Sequence, residues 1–385
     1  MLHILRQDSI YSSTCELRFQ QTATVLLLYC FFGLINRMNS VNVFAAVSLS
    51  VTGSIIVFYC YVQRKRRSTW KAVGRLDNIT IYPLKAGRAV FLEEAECTEF
   101  GLREVDNGRF LLRDRYFIVY EEETKNRFSC KINPIITKIG LNVRRDNILK
   151  LTCPDFDDCE FKSPSATSNN STKSKVLIYI NNESETVDCG DVPAKWLSQV
   201  ILKKDSGIRL GYYDEESIVR RPDDRGMVAM YKSIFPTIKS NNLGAYAFLS
   251  SYLLINQASL DDLNSRLPPD EQPVKATNFR TNLVISGIDP YEEDELRFIR
   301  IGNDVILKYI KFCTRCVVTT LNPDTGEFNR KCEPLETLRS YRMPVDDRVN
   351  KLENWSPIFG VYFGLHKPGI IRKGDIIYIK EKNNW

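Results

Sequence analysis

The sequence predicts a mainly β fold with helical additions, built from β-barrel or sandwich domains. Three observations favour this fold class. From residue 73 onward, short segments alternate apolar and polar side chains, which is the period of a strand with one buried face. Polar turns separate these segments, and only a few stretches have the longer period of an amphipathic helix. Many short strands with few helices are typical of barrels and sandwiches and not of a doubly wound α/β sheet.

The N-terminal region contains a candidate membrane helix. Residues 43–62 include no charged side chain, and a helix of that length matches a hydrocarbon core of ~30 Å. Basic residues follow directly at positions 64–67, and the positive-inside rule places this flank and the body behind it in the cytosol. A buried helix of a globular core is the alternative interpretation. A shorter apolar stretch at residues 23–35 is left open as a second insertion or a signal-like region.

Strands are predicted throughout the body of the chain. In its first half they are expected at residues 79–82, 116–120, 148–152 and 176–180, with a polar surface loop at 163–175. In its second half they are expected at residues 283–285, 305–320, 361–364 and 376–379.

Three helices are predicted among these strands. The first has Asp191 as its cap, Pro193 in its first turn, and an apolar face at Trp196, Leu197, Val200 and Ile201. The second begins at Ser259, and the third covers residues 334–342 before Pro344.

Composition excludes several classes of protein. The chain has 385 residues, enough for two domains, and only His3 and His366 as histidines, so a serine triad or a multi-histidine metal site is excluded by count. It has no glycine-rich dinucleotide or P-loop motif, so a redox enzyme of this sequence must receive electrons from another protein. The net charge of +6 is the sum of +7 in the first 75 residues and −1 in the remainder, and this nearly neutral remainder does not indicate a nucleic-acid binder. Eleven irregularly spaced cysteines fit a reducing compartment.

Cys313 and Cys316 form a CxxC pair near the C-terminus. Structural zinc needs four ligands, and no second pair completes the set. A thioredoxin-type pair needs a helix start, whereas the β-branched run after Cys316 predicts that the pair lies on a strand. Arg315 lies between the two cysteines on this apolar segment, and if it points inward it requires an anion or hydrogen-bond acceptors. Cys313 is equally consistent with a small buried apolar residue.

Other basic and small polar residues cluster at predicted strand ends, in patterns that fit an anionic ligand such as a phosphate. Each of them taken singly also fits an ordinary surface or ion-paired position. They are Lys85, Arg115, Ser250, Ser251 and Arg280.

Several motifs occur together in one order: YPLKAG, LRDRYF, SLDDLNSRL, VKATNFRTNLVISG, CTRCVVTTLNPDTG and SPIFGVYFG. In these motifs the body resembles the mitochondrial amidoxime-reducing component family of MOSC-domain proteins, which bind the molybdenum cofactor. The resemblance implies two β-barrel-like domains, a MOSC N-terminal domain at 73–205 and a MOSC domain at 206–385, behind an N-terminal segment 1–70 that carries the transmembrane helix.

The resemblance also implies the site. Cys316 matches the protein thiolate that binds molybdenum, a soft ligand for that metal. The positions implied to hold the pterin and its phosphate are Lys85, Arg115, Ser250, Ser251, Arg280, Asn282 and Arg315. Three positions depart from the family pattern, with Ala86 in place of a serine and Lys131 with Ile132 in place of an Arg-Gln pair. These departures affect the expected cofactor affinity more than the fold.

The activity implied by the resemblance is molybdenum-dependent reduction of N-hydroxylated compounds such as amidoximes and hydroxylamines, a detoxification chemistry. The implied electron donors are cytochrome b5 and NADH-cytochrome b5 reductase. The implied location is the mitochondrial outer membrane with the body facing the cytosol, and the membranes of the endoplasmic reticulum and the peroxisome are alternatives. Two other functions stay open, a non-catalytic carrier of molybdenum cofactor or sulfur and a membrane-tethered interaction module. Pyridoxal phosphate is a second ligand class that the wider MOSC superfamily implies.

Overall fold

The computed structural model describes residues 70–164, 173–179, 182–216, 218, 226–238, 244–247 and 249–380. The predicted span at 43–62, the stretch at 23–35, the basic run at 64–67 and most of the polar loop at 163–175 lie outside these ranges. No helix within the described ranges is both long and apolar enough to cross a bilayer. The described residues belong to one compact unit.

Strands account for most of the regular structure. The strands are β1 (Trp70–Ile81), β2 (Val90–Leu92), β3 (Glu94–Thr98), β4 (Gly101–Arg103), β5 (Phe117–Glu121), β6 (Gly140–Arg145), β7 (Ile148–Cys153), β8 (Phe156–Lys162), β9 (Lys173–Tyr179), β10 (Asn182–Asp188), β11 (Ile208–Tyr212), β12 (Tyr252–Asn256), β13 (Leu283–Ser286), β14 (Phe298–Ile301), β15 (Val305–Thr314), β16 (Ile358–Lys367), β17 (Gly369–Arg372) and β18 (Ile376–Lys380). The helices are α1 (Asp191–Leu202), α2 (Gly226–Ile234), α3 (Gln257–Arg266), α4 (Leu335–Tyr341) and α5 (Asp347–Leu352).

Seven of these strands close into a barrel. Their order is β1, β13, β12, β16, β15, β14 and β18, and β18 pairs with β1 to complete the ring. Closure leaves no unpaired edge among the seven strands, and the alternate positions that face inward are apolar. Ile79, Ile299 and Leu307 are among the buried residues of this core. The closed barrel confirms the predicted mainly β class with few helices.

The remaining strands form three smaller sheets. One joins β5, β11, β10 and β9, a second joins β17, β3 and β4, and a third joins β6, β7 and β8. Helix α1 packs on β11 and β8. The first strand of the body, β1, therefore belongs to the barrel of the C-terminal half, while the segment that follows it builds the smaller sheets.

The predicted strands at 79–82, 116–120, 148–152, 283–285, 361–364 and 376–379 overlap observed strands, as does the described part of 176–180. Helix α1 also has the expected buried face, because Leu197, Val200 and Ile201 are buried. Its cap differs from the prediction. Gly190, with φ of 91°, occupies the N-cap, and Asp191 is the first helical residue. A carboxylate at that position still favours the helix, because it lies beside the positive end of the dipole.

The predicted strand at 305–320 is too long. Strand β15 ends at Thr314, and Val317–Thr320 form a single 3-10 turn for which Cys316 is the N-cap. Both threonines of this turn donate their hydroxyls to the carbonyl three residues earlier. Local hydroxyl-to-carbonyl bonds of this kind compete with a sheet ladder, which explains why the β-branched run leaves the strand. Only Cys313 of the CxxC pair therefore lies on a strand.

Candidate functional site

A cleft of about 470 Å³ opens beside the end of β15. The loops after β1 and β5 and the segments before β12 and β13 complete its walls. Its lining residues are Lys85, Ala86, Arg115, Arg127, Ser129, Cys130, Lys131, Ala247, Ser250, Leu253, Asn278, Phe279, Arg280, Asn282, Cys313, Thr314, Arg315, Cys316, Val318, Thr319 and Tyr362. Six of these side chains are cationic and none is acidic. The charge balance favours an anionic ligand.

Arg315 is buried, and its guanidinium points into the fold, where it meets backbone carbonyls. Its Nε donates to the Phe359 carbonyl at 2.7 Å and its Nη1 to the Phe279 carbonyl at 2.8 Å. Its third nitrogen, Nη2, is buried and has no hydrogen-bond acceptor among the described residues. A buried charged donor without a partner is costly, so this arm is suited to an acceptor supplied by a ligand.

Arg280 shows the same pattern on the neighbouring wall. Its Nη1 donates to the Gly87 carbonyl at 2.9 Å, and its guanidinium lies 4.2 Å from the ring centroid of Tyr82. Its Nη2 is likewise buried without an acceptor in the described part of the chain. Burial lowers the pKa of this guanidinium, because removing the charge from water disfavours the protonated form. A bound anion would reverse that effect.

Arg115 and Asn282 connect the cationic wall to the barrel. Arg115 pairs with the buried carboxylate of Asp114, and its Nη2 donates to the Arg280 carbonyl at 3.1 Å. Burial opposes the charge of Arg115, but the Asp114 carboxylate outweighs it and leaves the pKa of Arg115 raised. The amide of Asn282 donates to the Thr80 carbonyl at 3.1 Å and accepts from the Leu253 amide at 3.2 Å. Asn282 therefore fixes the wall, although it also lines the cleft.

Three lining residues other than glycine have left-handed backbone conformations. Ala86 has φ of 70°, Arg115 of 57° and Arg280 of 52°. Such conformations are uncommon for residues with a Cβ and persist where the surrounding structure enforces them. Their concentration around one cleft is typical of a binding site, because each turns a side chain toward the same space.

Lys85, Ser250 and Ser251 were predicted to belong to the same site. Lys85 lines the cleft, with its Nζ 2.5 Å from the Tyr246 carbonyl. Ser250 also lines it, and its hydroxyl donates to the Phe363 carbonyl. The hydroxyl of Ser251 donates at 2.7 Å to the carbonyl of Glu99, and Ser251 is absent from the lining. The structure thus brings seven of the eight predicted site residues to one cleft and directs the Ser251 hydroxyl elsewhere.

The two cysteines of the CxxC motif have different environments. Cys316 is exposed at the cleft, whereas Cys313 is buried with 2% of its surface accessible. The carbonyl of Cys316 accepts from the Thr319 amide at 3.0 Å and from the Thr319 hydroxyl at 2.9 Å, which fixes the turn that presents its thiol. Among the cysteines of the described ranges, only Cys316 is exposed. An accessible thiol on a fixed turn is suited to binding a soft metal.

Several lining residues were not predicted from the sequence. Cys130 and Arg127 reach the cleft from the loop after β5, and Tyr362 reaches it from β16. Burial raises the pKa of the Cys130 thiol, while the neighbouring Arg280 acts in the opposite direction. No local pattern marks these residues, because their approach to Cys316 depends on the pairing of strands distant in sequence.

The donor set fits a metal that arrives inside a larger anionic ligand. Within the described residues there is no cluster of three or more His, Cys, Asp or Glu side chains that could hold a metal ion alone. A single accessible thiol beside two unpartnered guanidinium nitrogens would supply one soft metal ligand and two anion donors. The molybdenum cofactor matches these donors. Its metal can accept the thiolate, its phosphate can accept from the guanidinium groups, and its dithiolene supplies the other sulfur ligands.

Comparisons with known proteins agree with this chemistry. Residues 73–204 match the model of the MOSC N-terminal beta barrel domain, and residues 245–378 match that of the MOSC domain. The chain is 38% identical over 315 residues to mitochondrial amidoxime-reducing component 1 of Homo sapiens, covering 82% of this chain and 86% of that protein. It is 37% identical to the component 1 protein of Mus musculus, over 87% of this chain and 91% of that protein. It is 32% identical to the component 2 protein of Homo sapiens, over 87% and 92%.

Proposed function

Because the chain belongs to the family of mitochondrial amidoxime-reducing components, we propose that it is a molybdenum-cofactor-dependent reductase of N-hydroxylated compounds. Amidoximes and hydroxylamines are the proposed substrates, and cytochrome b5 with its NADH-dependent reductase is the proposed electron source. One structural observation carries the proposal. The exposed thiol of Cys316 shares a cleft with Arg280 and Arg315, each of which has a buried guanidinium nitrogen without a partner in the described structure.

Different residues of the cleft would bind different parts of the cofactor. Arg280 and Arg315 would donate their free Nη2 groups to its anionic oxygens, because a guanidinium binds phosphate through charge-assisted hydrogen bonds. Lys85 and Arg115 would add positive charge around the same ligand. Cys316 would hold the metal through its thiolate, fixed in place by its two bonds with Thr319. When bound, the molybdenum cofactor supplies the two-electron, oxygen-accepting chemistry, which the side chains of this protein lack.

Substrate access is proposed to follow the open side of the cleft. Lys131 lines that side, and Ile132 beside it is 85% exposed. These are two of the three positions where the sequence departs from the family pattern. A lysine and an apolar side chain at the mouth favour small substrates with an apolar body and a polar N-hydroxylated end, because each part then meets a matching surface.

The relatives' names include the word mitochondrial, and we extend that location to this chain as part of the proposal. The proposed anchor is the charge-free stretch at 43–62, with the basic run at 64–67 holding the body on the cytosolic side of the outer membrane. A body in the cytosol would be accessible to a membrane-bound cytochrome b5.

The deciding experiment measures metal and turnover in the same preparation. Full-length protein from a host that makes molybdenum cofactor should contain nearly one molybdenum per chain by elemental analysis. It should reduce benzamidoxime when cytochrome b5, its reductase and NADH are all present. Metal without turnover in the complete system would favour a carrier of the cofactor, and absence of metal would exclude both functions. Omitting cytochrome b5 is the control for direct electron transfer from the reductase.

A further inference from the structure

The barrel has a cationic and aromatic outer surface that the proposed reaction does not use. Strand pairing brings Trp70 opposite Lys380, Arg300 opposite Tyr378 and Phe298 opposite Lys308, on four adjacent strands. The intervening residues of β14, such as Ile299 and Ile301, face the buried core. All six side chains are partly exposed. We call this surface the cationic-aromatic face, and it consists of Trp70, Phe298, Arg300, Lys308, Tyr378 and Lys380.

Cations and rings alternate across the face. The guanidinium carbon of Arg300 lies 3.9 Å from the ring centroid of Tyr378 and 5.6 Å from that of Trp70. The ammonium of Lys380 lies 5.1 Å from the ring centroid of Phe298 and 5.9 Å from that of Trp70. Lys308 lies 5.8 Å from the Phe298 ring. Cation–π contacts leave the outer side of each cation open to an anion.

No carboxylate neutralises these cations within the described structure. Strands β14, β15 and β18 contain no aspartate or glutamate. Arg300, Lys308 and Lys380 form no ion pair with the described residues, and the Nε of Arg300 has no hydrogen-bond acceptor among them. This differs from the rest of the barrel surface, where Lys367 pairs with Asp304 and Arg75 with Asp77. The face therefore keeps its full positive charge.

The face and the cleft occupy different positions along the strands that they share. Lys308 is near the start of β15, whereas Thr314 at its end lines the cleft. At about 3.3 Å per residue, roughly 20 Å of strand separates them. Trp70 begins β1, and the loop that follows this strand reaches the cleft through Lys85. None of the six residues of the face lines the cleft.

The connection to the proposed membrane anchor identifies the occupant. Trp70 follows the end of the charge-free stretch at residue 62 by eight positions. Even fully extended, that length of chain reaches no more than about 30 Å, so the start of β1 must stay near the bilayer surface if the anchor spans it. Tryptophan and tyrosine rings with lysine and arginine are the combination that favours the headgroup region of a membrane.

We propose that the cationic-aromatic face seats the body of the protein on an anionic phospholipid surface. The inference rests on the membrane anchor of the proposed function. An acidic electron-donor protein is less suited to this face, because electrons must reach Cys316 and no residue of the face lines the cleft that contains it. Each lysine or arginine near an anionic bilayer contributes about fivefold to the ratio of docked to undocked protein, so removing two should lower it about 30-fold.

The test uses the full chain in vesicles that contain brominated phosphatidylcholine, which quenches nearby tryptophans. The Trp70 signal is the difference in fluorescence between the wild-type chain and Trp70→Phe. We expect quenching of Trp70 when one third of the lipid is phosphatidylserine and little quenching on neutral vesicles. The double variant Lys308→Gln with Lys380→Gln should lose it, as should 1 M salt, because screening shortens the range of the attraction to about 3 Å. The control, Lys175→Gln with Lys195→Gln, removes two exposed charges from β9 and α1 and should retain it.

Equal quenching on neutral and anionic vesicles, or equal loss in the control, would overturn the proposal. A third result would also overturn it: Trp70 is quenched on neither vesicle type, and its fluorescence changes when the soluble domain of cytochrome b5 is added. That result would assign the face to cytochrome b5. The anchor is judged separately by flotation. A chain that floats with neutral vesicles but shows no quenching on anionic ones keeps the anchor and loses the face. A chain that floats only with anionic vesicles loses the anchor, and Trp70 quenching still decides on the face.

Discussion

The two CxxC cysteines should differ when each is replaced singly. Replacing Cys316 should remove activity with little effect on stability, and replacing Cys313 should lower stability with little effect on activity. Cys316 is exposed on the 3-10 turn and Cys313 is 2% exposed on β15. Cys316→Ala should abolish reduction of N-hydroxylated substrates, because the metal loses its only protein thiolate. Its stability should change by less than about 0.5 kcal/mol, since an exposed side chain has few contacts to lose.

Cys313→Ala should keep most of the activity and lose stability. Its sulfur is buried and lies 3.6 Å from the Thr314 carbonyl, a weak hydrogen bond. Removing one buried sulfur costs about 1 to 1.5 kcal/mol in transfer and cavity terms. For a body of this size that corresponds to a decrease in melting temperature of about 1.5 to 2.5 °C. The two variants should therefore separate, one losing turnover and the other losing stability.

The assay must distinguish turnover from cofactor loading. Both variants should be purified as full-length protein, their molybdenum content measured, and benzamidoxime reduction assayed with the same cytochrome b5 chain. Melting is followed by calorimetry on the same samples. Cys332→Ala, which alters a partly exposed cysteine outside the cleft, is the matched control and should change neither property. Equal inactivation by Cys313→Ala and Cys316→Ala would refute the single-thiolate assignment and indicate that the pair acts as a couple.

Three further predictions concern the cationic residues of the cleft, the buried carboxylate of Glu293 and the side of the membrane on which the body lies. Arg280→Ala and Arg315→Ala should each lower molybdenum retention about 10- to 100-fold, because each loses one charge-assisted hydrogen bond to the cofactor. Lys85→Ala should lower it less. Equal metal content in Arg280→Ala and wild type would contradict the binding role of Arg280. Burial raises the pKa of Glu293 to about 7, above that of the unfolded chain, so its contribution to stability is present at low pH and is lost as the pH rises toward 7. Urea unfolding at pH 5 and pH 8 should therefore show Glu293→Gln gaining stability relative to wild type only at pH 8, and an equal difference at both pH values would argue against it. Protease added to intact mitochondria should digest the body, because the basic run at 64–67 keeps it in the cytosol, and protection until the outer membrane is ruptured would reverse this topology.

The fold class was predictable because its signals are local. Alternating apolar residues identify strands with one buried face, and Leu197, Val200 and Ile201 identify the buried face of α1 without knowledge of their partners. Local signals also misled at two points. The β-branched residues after Cys316 suggested a strand, but threonine hydroxyls close a turn there, and the cap of α1 falls on Gly190. Propensity describes an average over many contexts, and hydrogen bonds available at one position override it.

Part of the site was also predictable from the sequence. An arginine between apolar residues must find acceptors if it points inward, and Arg315 does so with two carbonyls while leaving one nitrogen free. The sequence predicts different roles for Cys313 and Cys316, and in the structure Cys313 is buried and Cys316 is exposed. Residue type favoured an anionic ligand, because several guanidinium groups match one, whereas the metal was implied by the family resemblance.

The amino-acid sequence by itself determined the strands, the types of donor available and the class of ligand they suit. Only the tertiary structure decided which donors meet. It brought Cys130, Arg127 and Tyr362 to the cleft and turned the Ser251 hydroxyl toward the Glu99 carbonyl. It also aligned Arg300 with Tyr378 on the outer surface of the barrel. The reason is that residue type and local period depend on neighbours along the chain, whereas contacts across a closed barrel depend on strand order and register, which no local pattern encodes.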